Sequence, residues 1–290
     1  MIFLYLNGGL CNQLFMLFAT LSYAIENGID YWILSNSDKV FDGSRKTYWD
    51  SFLKAFKDKY GPINYPALAY DEQKFEYVPI PKDLATKDFT LRGYFQSYKY
   101  FENNFDKISE LIGIEEQMAA VANKYHYLLP GKTVMMHFRL DDYLGLQYYH
   151  CIKRPEYYIN ALMQLQKDLM NRGESLSDYE IMYFCQNNDD YIVNQYLNVI
   201  LNTWQAIPNM QKVRLNFKRV PVEIEDYEQL LLMANCNHHI IANSSFSWFG
   251  AYFSKNKDKL VYYPKVWFGP GYVDKKTDTM CPSTWTVIDA

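Results

Sequence analysis

A chain of 290 residues, 49% of them hydrophobic, is long enough for one large domain or two modest ones, each with its own core. Its formal net charge of −4 gives no general electrostatic attraction to nucleic acid, and no apolar stretch has the length of a membrane span. The five cysteines form no Cys-x-x-Cys pair, which favours reduced thiols over disulfides or a zinc site. We therefore expect a cytoplasmic protein, with association at the membrane periphery as the alternative.

Apolar residues in the first part of the chain recur at strand and helix spacings in alternation. The predicted elements are a strand over Ile2–Leu6, a helix that stops at Asn27-Gly28, a strand over Tyr31–Leu34, a strand over Phe89–Phe95 and a helical region over Asn104–Tyr127. Several Pro and Gly breaks within residues 36–90 indicate a mixture of short helices and loops.

The pattern breaks at Leu129-Pro130-Gly131 and then restarts. The predicted elements beyond the break are strands over Thr133–Phe138, Glu180–Cys185, Val213–Phe217, His239–Ala242 and Leu260–Tyr263, and helices from Pro155 and over Tyr191–Leu201, Glu225–Ala234 and Phe246–Phe253. Such alternation favours parallel sheets with helices on both faces. We therefore predict two α/β domains, residues 1–130 and residues 131–290.

The segment Leu6–Phe15, with the sequence LNGGLCNQLF, joins the first predicted strand to the first helix. Two adjacent glycines at such a junction permit either a tight turn or the close approach of a ligand. The segment is not a Gly-x-Gly-x-x-Gly fingerprint, and it is not a Walker loop because no Gly-Lys-Ser/Thr follows. By itself the segment leaves a plain turn and a ligand loop open.

A second segment, HFRLDDY from His137, follows a strand that is apolar up to its last residues. The two-residue period of a strand places His137 and Arg139 on one face, at the edge where open α/β sheets bind ligands. An arginine suits a diphosphate because its planar guanidinium donates two parallel hydrogen bonds. The alternative is an Arg139–Asp142 salt bridge beside a histidine that is satisfied within the core.

A third segment runs from the strand ending at Ala242 through Asn243, Ser244 and Ser245 directly into a helix. The backbone N–H groups at a helix start, together with two hydroxyl groups, can bind an anion. The alternative is a helix cap with no ligand.

In this order the segments GGLCNQLF, HFRLDDY and NSSFSWFGA resemble the α-1,2-fucosyltransferases of glycosyltransferase family 11. Further matches are LRGYFQS from Leu91, the Tyr157-Tyr158 pair and Trp267, so the resemblance covers nearly the whole chain. It implies a GT-B fold, in which two Rossmann-like domains with parallel sheets face each other across a cleft. It also implies inverting transfer of L-fucose from GDP-fucose to the 2-hydroxyl of a terminal β-galactose on a glycan, with no metal and no cofactor.

The resemblance also implies roles for individual residues. The amino-terminal domain would lie on the acceptor side and the carboxyl-terminal domain would bind the GDP-sugar. Arg139, His137 and Asp142 are the implied catalytic residues. The implied donor-binding residues are Gly8, Gly9, Asn12, His137, Arg139, Glu228, Asp226, Asn243, Ser244, Ser245 and Phe246. Of these, Glu228 is placed to receive the guanine N–H groups, with Asp226 as the second choice.

The chain departs from the family at several positions. Leu140 and Asp141 stand where the family has Arg and Gly, and Cys11 stands where Gly is usual. Because adjacent strand residues face oppositely, we expect Leu140 not to share the role of Arg139 and an arginine there to have a mild effect. The general base is not assigned: Asp141 and Asp142 are candidates, and either could instead orient Arg139.

Two other functions fit the same residues. One is a transferase that uses a different GDP-sugar. The other is a non-catalytic sugar-binding protein on the same scaffold, which the departures around Arg139 suggest. Turnover of the donor distinguishes them, because a sugar-binding protein would bind glycan without consuming GDP-fucose. The sequence does not identify the acceptor.

Overall fold

The computed structural model of the protein describes residues 1–34, 46–62 and 66–289. These residues divide into two units, Met1–Gln117 with Asp274–Pro282, and Met118–Val273 with Ser283–Ala290. The division lies inside a helix, whereas the sequence suggested a boundary between residues 130 and 131. The short segment Asp274–Pro282 returns to the first unit, which no local pattern in the sequence indicates.

The first unit contains a sheet whose described strands are all parallel, in the spatial order β3-β2-β1-β5-β4. The strands are β1 (Ile2–Leu4), β2 (Tyr31–Leu34), β3 (Tyr60–Gly61), β4 (Ala69–Asp71) and β5 (Phe89–Arg92). Pairing with the central strand β1 sets the register, with Phe3 opposite Trp32 on one side and Thr90 on the other.

Helix α1 (Leu10–Asn27) forms much of the core of this unit because apolar residues cover most of its circumference. Its Phe18 packs edge-on against Phe101, with the ring centroids 5.3 Å apart. The predicted stop at Asn27-Gly28 is confirmed: Gly28 adopts a left-handed φ of 62°, which a glycine tolerates without steric cost.

The predicted helical region over Asn104–Tyr127 forms two helices, α2 (Phe105–Ile112) and α3 (Ile114–Lys124). Gly113 separates them with a φ of 70°, and its N–H bonds back to the carbonyl of Glu110. A left-handed residue cannot continue a right-handed helix, so the region is interrupted there.

The second unit contains a six-stranded parallel sheet in the order β11-β10-β9-β6-β7-β8. Its strands are β6 (Thr133–His137), β7 (Glu180–Phe184), β8 (Asn216–Arg219), β9 (His238–Ile240), β10 (Val261–Pro264) and β11 (Thr286–Ile288). Its helices are α4 (Pro155–Met170), α5 (Asp190–Ala206), α6 (Asp226–Ala234) and α7 (Ser245–Phe253). The predicted fold class, α/β with parallel sheets in two Rossmann-like units, is confirmed.

Most predicted elements match the observed ones to within a few residues, and Pro155 begins α4 as expected. The strands β3, β4 and β11 were not predicted. Part of the segment 36–90 lies outside the described residues, so the prediction for it is tested only in part. Among the described residues, no helix is both long and apolar enough to cross a membrane.

Candidate functional site

In the sheet of the second unit, the direction in which successive strands are added reverses between the neighbouring strands β6 and β9. From β6 the chain proceeds to β7 and β8 on one side, and from β9 it proceeds to β10 and β11 on the other. Open parallel sheets bind ligands outside the carboxyl ends of their strands at such a switch point. His137 ends β6, and Asn243 and Ser244 follow β9. Two of the predicted motifs therefore meet at this point.

His137 is a buried, neutral histidine. Burial, reinforced by the nearby Arg139 charge, lowers its pKa to about 3. Its ring lies 6.0 Å from the ring of Phe246 at the start of α7, and its carbonyl accepts a hydrogen bond from the Tyr158 hydroxyl at 3.0 Å. Its buried Nδ1 has no partner among the described residues. The backbone of His137 is thus satisfied, but its side chain retains an unused hydrogen-bonding atom.

Arg139 follows β6, and three side chains hold its guanidinium group. Nη2 lies 2.6 Å from Oδ1 of Asp142, so the salt bridge anticipated as an alternative is present. When the Gln186 amide is oriented to satisfy its hydrogen bonds, its oxygen accepts from Nη1 at 2.5 Å. The guanidinium carbon lies 5.0 Å from the centroid of the Tyr143 ring. These contacts fix the plane of the group, while 21% of the side chain remains exposed.

A loop that follows β7 supports the same region and was not predicted from the sequence. Its Asp189 accepts a hydrogen bond from the backbone N–H of Asp141 at 2.8 Å, and burial raises the Asp189 pKa. The Gln186 amide nitrogen donates to the Asp141 carboxylate. The available signal was the polar run from Gln186 to Asp189 directly after a buried strand, which a parallel sheet brings to the same edge as the end of β6.

Ser244 caps α7, and its hydroxyl oxygen accepts from the backbone N–H of Phe246 at 3.3 Å. The helix-cap alternative is therefore realised for this hydroxyl group. Ser245 begins the helix and is partly exposed, as is Phe246. The start of α7 still carries the partial positive charge of a helix amino terminus next to His137.

Asn243 fastens two other loops to the end of β9. Its Nδ2 donates to the backbone carbonyls of Cys151 and Trp267, both at 2.8 Å. The backbone carbonyl of Asn243 accepts from the Tyr143 hydroxyl at 3.3 Å. Its buried Oδ1 has no partner among the described residues. Like Nδ1 of His137, this atom is a buried hydrogen-bonding group near the switch point that no described residue satisfies.

Glu228 lies buried in the first turn of α6 and is already engaged by two groups. Lys124 lies 2.8 Å from its Oε1, and the Tyr125 hydroxyl donates to Oε2 at 2.7 Å. Asp226, the first residue of α6, accepts from the backbone N–H of Tyr227 at 2.8 Å. A guanine base would have to bind the lone pairs of Glu228 that Lys124 and Tyr125 leave unused. The assignment of Glu228 as the guanine-binding residue stays a prediction.

Gly8, Gly9 and Asn12 lie in the first unit, after β1. Gly8 has a φ of 77°, and a Cβ there would approach Nδ2 of Asn12 to 2.9 Å, so both conformation and space require glycine. Gly9 caps α1 and has open space where a Cβ would be. Oδ1 of Asn12 accepts from Gln96 at 2.9 Å, which joins this turn to the loop after β5.

This turn also lies at a switch point. In the first sheet, β1 leads to β2 and β3 on one side, and β5 and β4 lie on the other. Each unit thus carries its predicted motifs at the place where parallel sheets bind ligands. Among the described residues, no group of three or more His, Cys, Asp or Glu side chains is arranged to hold a metal ion.

Comparison with known proteins finds similarity to sugar transferases. No protein-family model matches the chain. It is 27% identical over 215 residues to the O-antigen biosynthesis glycosyltransferase WbnK of Escherichia coli; the match covers 71% of this chain but 64% of that protein, which is less than two thirds of its length. It is 23% identical over 233 residues to an alpha-1,2-colitosyltransferase of Escherichia coli, with coverage of 78% and 72%.

Among solved structures, a variant of FUT1 from Arabidopsis thaliana in complex with GDP is similar over 97% of this chain and 74% of its own. The TM-score is 0.47 and the sequence identity is 11%.

Proposed function

We propose that this protein is an inverting glycosyltransferase of the GT-B class, which transfers L-fucose from GDP-fucose to the 2-hydroxyl of a terminal β-galactose on a glycan. One observation carries the proposal: an oriented arginine, a neutral histidine and a helix amino terminus meet at the switch point of the second sheet. Similarity to WbnK and to an alpha-1,2-colitosyltransferase supports a sugar-transfer reaction.

In the proposed reaction, the oxygen of the acceptor hydroxyl group attacks the anomeric carbon of fucose from the face opposite the phosphate, and the hydroxyl proton passes to solvent. The bond between that carbon and the phosphate oxygen breaks, and its electron pair stays on GDP. Negative charge therefore grows on the diphosphate, where Arg139 and the start of α7 would stabilise it. Gln186 and Asp142 hold the guanidinium group in place before the ligand arrives, so little reorganisation is needed.

His137 has a different role in this proposal. With a pKa lowered to about 3, it carries no positive charge at neutral pH and cannot neutralise the diphosphate. Its neutral imidazole ring would instead offer the donor an uncharged hydrogen bond. For the first unit, the resemblance implies that Gly8, Gly9 and Asn12 bind the donor, and we retain this as a proposal.

A second candidate is transfer of a different GDP-linked sugar to a 2-hydroxyl group. The similarity to an alpha-1,2-colitosyltransferase favours this alternative specifically. The proposed diphosphate contacts would recognise the part that GDP-sugars share, so they would not distinguish between donors.

Purified protein is expected to consume GDP-fucose in the presence of a β-galactoside and to form an α-1,2-linked fucoside. The measurement is release of GDP with a panel of GDP-sugars, GDP-colitose included, against one set of galactosyl acceptors, followed by NMR of the product. A 1→3 or 1→6 linkage would contradict the assignment of the reaction. Glycan binding without donor consumption would instead identify a non-catalytic sugar-binding protein.

Transfer is expected to continue in excess EDTA. The reason is that Arg139 and the start of α7 supply positive charge where other enzymes place a divalent cation. Initial rates with and without chelator should agree within about twofold, which corresponds to a difference of about 0.4 kcal/mol in activation free energy. Activity that vanished with EDTA and returned with Mg²⁺ or Mn²⁺ would show this part of the mechanism to be wrong.

A further inference from the structure

A cavity of about 490 Å³ opens in the first unit, beside the carboxyl ends of β4 and β5. One wall is the segment after β4, from Glu72 to Glu76. The opposite wall is formed by residues 274–276, near the start of the segment that returns to this unit late in the chain. Tyr94, in the loop after β5, completes the lining.

The returning segment is anchored by hydrogen bonds within the first unit. Thr279 accepts from the backbone N–H of Tyr77 at 2.7 Å, and its carbonyl accepts from the Ser97 hydroxyl. The ammonium group of Lys275 lies 5.5 Å from the centroid of the Phe75 ring. The Lys275–Phe75 contact joins the two lining segments, and the Thr279 bonds hold the returning segment beside them.

The loop that carries Tyr94 is held in a strained conformation. Phe95 has a φ of 53°, a region that bulky residues rarely occupy, and Gly93 before it has a φ of 140°. The Glu72 carboxylate accepts from the backbone N–H groups of Tyr94 and Phe95, both at 2.9 Å, and so holds the loop in this shape. Glu72 is in turn fixed by its own N–H, which donates to the carbonyl of Arg92 at 2.7 Å.

Strain of this kind is retained where the surrounding structure enforces it for a function. Here it leaves the Tyr94 side chain 38% exposed at the cavity, although the neighbouring Phe95 is buried. The next residue, Gln96, donates to Asn12 at 2.9 Å. The same loop therefore borders both the cavity and the turn that we assign to the donor.

The chemistry of the lining favours an uncharged, hydroxyl-rich ligand. Three acidic residues and three lysines line the cavity, so their formal charges cancel. Aromatic side chains of Tyr94 and Phe75 are present together with these hydrogen-bonding groups. Aromatic faces pack on the apolar faces of sugar rings, while carboxylates and ammonium groups bond to hydroxyl groups.

We infer that this cavity is the acceptor subsite, binding a neutral saccharide unit of the glycan with Tyr94 and Phe75 as its packing surfaces. The inference rests on the proposed function, since it names the place at which the sugar acceptor of that reaction binds. It assigns Glu72 a structural task, which is to hold the loop that presents Tyr94.

The test separates saccharide binding from transfer. Saturation-transfer NMR would be recorded on the full chain without donor, using galactose-, glucose-, N-acetylglucosamine- and mannose-terminated disaccharides. Wild-type protein is expected to bind at least one of them, and Tyr94→Ala to lose the signal. In turnover assays Tyr94→Ala should raise the acceptor KM by about tenfold or more, which equals about 1.4 kcal/mol.

Two further variants complete the test, one as a control and one as a second test of the cavity. Tyr191→Ala removes a tyrosine that is 74% exposed on α5, and it should change neither saccharide binding nor the acceptor KM. Phe75→Leu keeps apolar bulk but removes the flat ring, so it provides a second test should Tyr94→Ala fail to fold in a thermal melt.

The inference is overturned when wild-type protein binds none of the disaccharides, or when folded Tyr94→Ala and Phe75→Leu variants keep wild-type binding and acceptor KM. Saccharide binding that depends on Tyr94, without consumption of any GDP-sugar, would support the cavity and refute the proposed function. Transfer with an unchanged acceptor KM in both variants would support the function and refute the cavity. The two failures are therefore distinguishable.

Discussion

Replacing Arg139 with alanine is expected to lower kcat/KM for the proposed fucosyl transfer by about 10³-fold or more, the size expected when a preorganised hydrogen-bond donor at developing charge is removed. The guanidinium group is fixed by Asp142, Gln186 and Tyr143 before any ligand binds. Its contribution would therefore be greatest in the transition state, as the diphosphate becomes the leaving group. Steady-state kinetics, with thermal melts to confirm folding, make the measurement.

The lysine variant distinguishes catalysis from a structural salt bridge. If Arg139 served only to pair with Asp142, Arg139→Lys would keep much of the activity, because one cation is enough for that pair. A lysine lacks the planar pair of donors, so in the proposed mechanism it should remain badly impaired. Arg214→Ala, which removes an exposed arginine of the same unit, is the matched control and should be unaffected. A folded Arg139→Ala enzyme within a few-fold of wild type would refute the assigned role.

Leu140 is a position where the structure changes an expectation. Strand alternation suggested that Leu140 faces away from Arg139 and would accept an arginine with mild effect. The side chain is fully buried, within the same core cluster as Phe138. Leu140→Arg would therefore bury an unpaired charge and should destabilise the second unit. We therefore replace the expectation of a mild effect with one of lost stability, because a side chain that faces away from the ligand here faces the core.

The long helices and the strands with a continuous apolar run were predictable because local spacing determines them. The strands β3, β4 and β11 were not, since each has only two or three residues and exists through pairing with a neighbour. For β11, Thr286 lies opposite Tyr262 across more than twenty residues of intervening chain. The return of residues 274–282 to the first unit has the same cause: its contacts are with distant residues.

The candidate site was predictable in part for a related reason. His137, Arg139 and Asn243 stand at the ends of recognisable strands, and parallel sheets place all such ends at one edge. Gln186 and Asp189 follow a third strand but carry no motif, so their contacts with the Arg139 loop became visible only in three dimensions. Tyr94 lies within the LRGYFQS match but received no role, and Glu72 was not singled out, because a strained loop and two nonadjacent segments define their cavity.

Three buried histidines of the second unit lead to a prediction about acid stability. Burial is the largest cause of the low pKa of each: about 3 for His137, about 4 for His238 and about 3 for His239, against an ordinary value of 6.5. A hydrogen bond of His238 also requires the neutral ring: its Nδ1 accepts from the N–H of Leu260 at 3.1 Å and must be unprotonated to do so. Protonation would break that bond inside the core.

The sign follows from proton uptake on unfolding. Because each folded-state pKa lies below the unfolded value, stability from these groups is present above pH 6.5 and is lost as pH falls toward 4 and 3. Between pH 7 and pH 5, each histidine should lower the free energy of unfolding by about 2 kcal/mol. The three together should lower it by about 6 kcal/mol, which is comparable to the whole stability of a domain. Glu72 and Asp189, whose pKa values are raised by burial, oppose this trend near the bottom of the range.

A difference between variants isolates the histidine contribution from these carboxylates. In His239→Gln the amide nitrogen can replace Nε2, which lies 3.0 Å from the carbonyl of Met233, while the titration disappears. Urea unfolding at pH 7 and pH 5 should show a loss of stability that is smaller by about 2 kcal/mol in His239→Gln than in wild type. His126→Gln, at an exposed histidine, should show the wild-type loss. Equal pH dependence in wild type and His239→Gln would mean that His239 is not held neutral by burial, and the acid sensitivity would then have to arise from other groups.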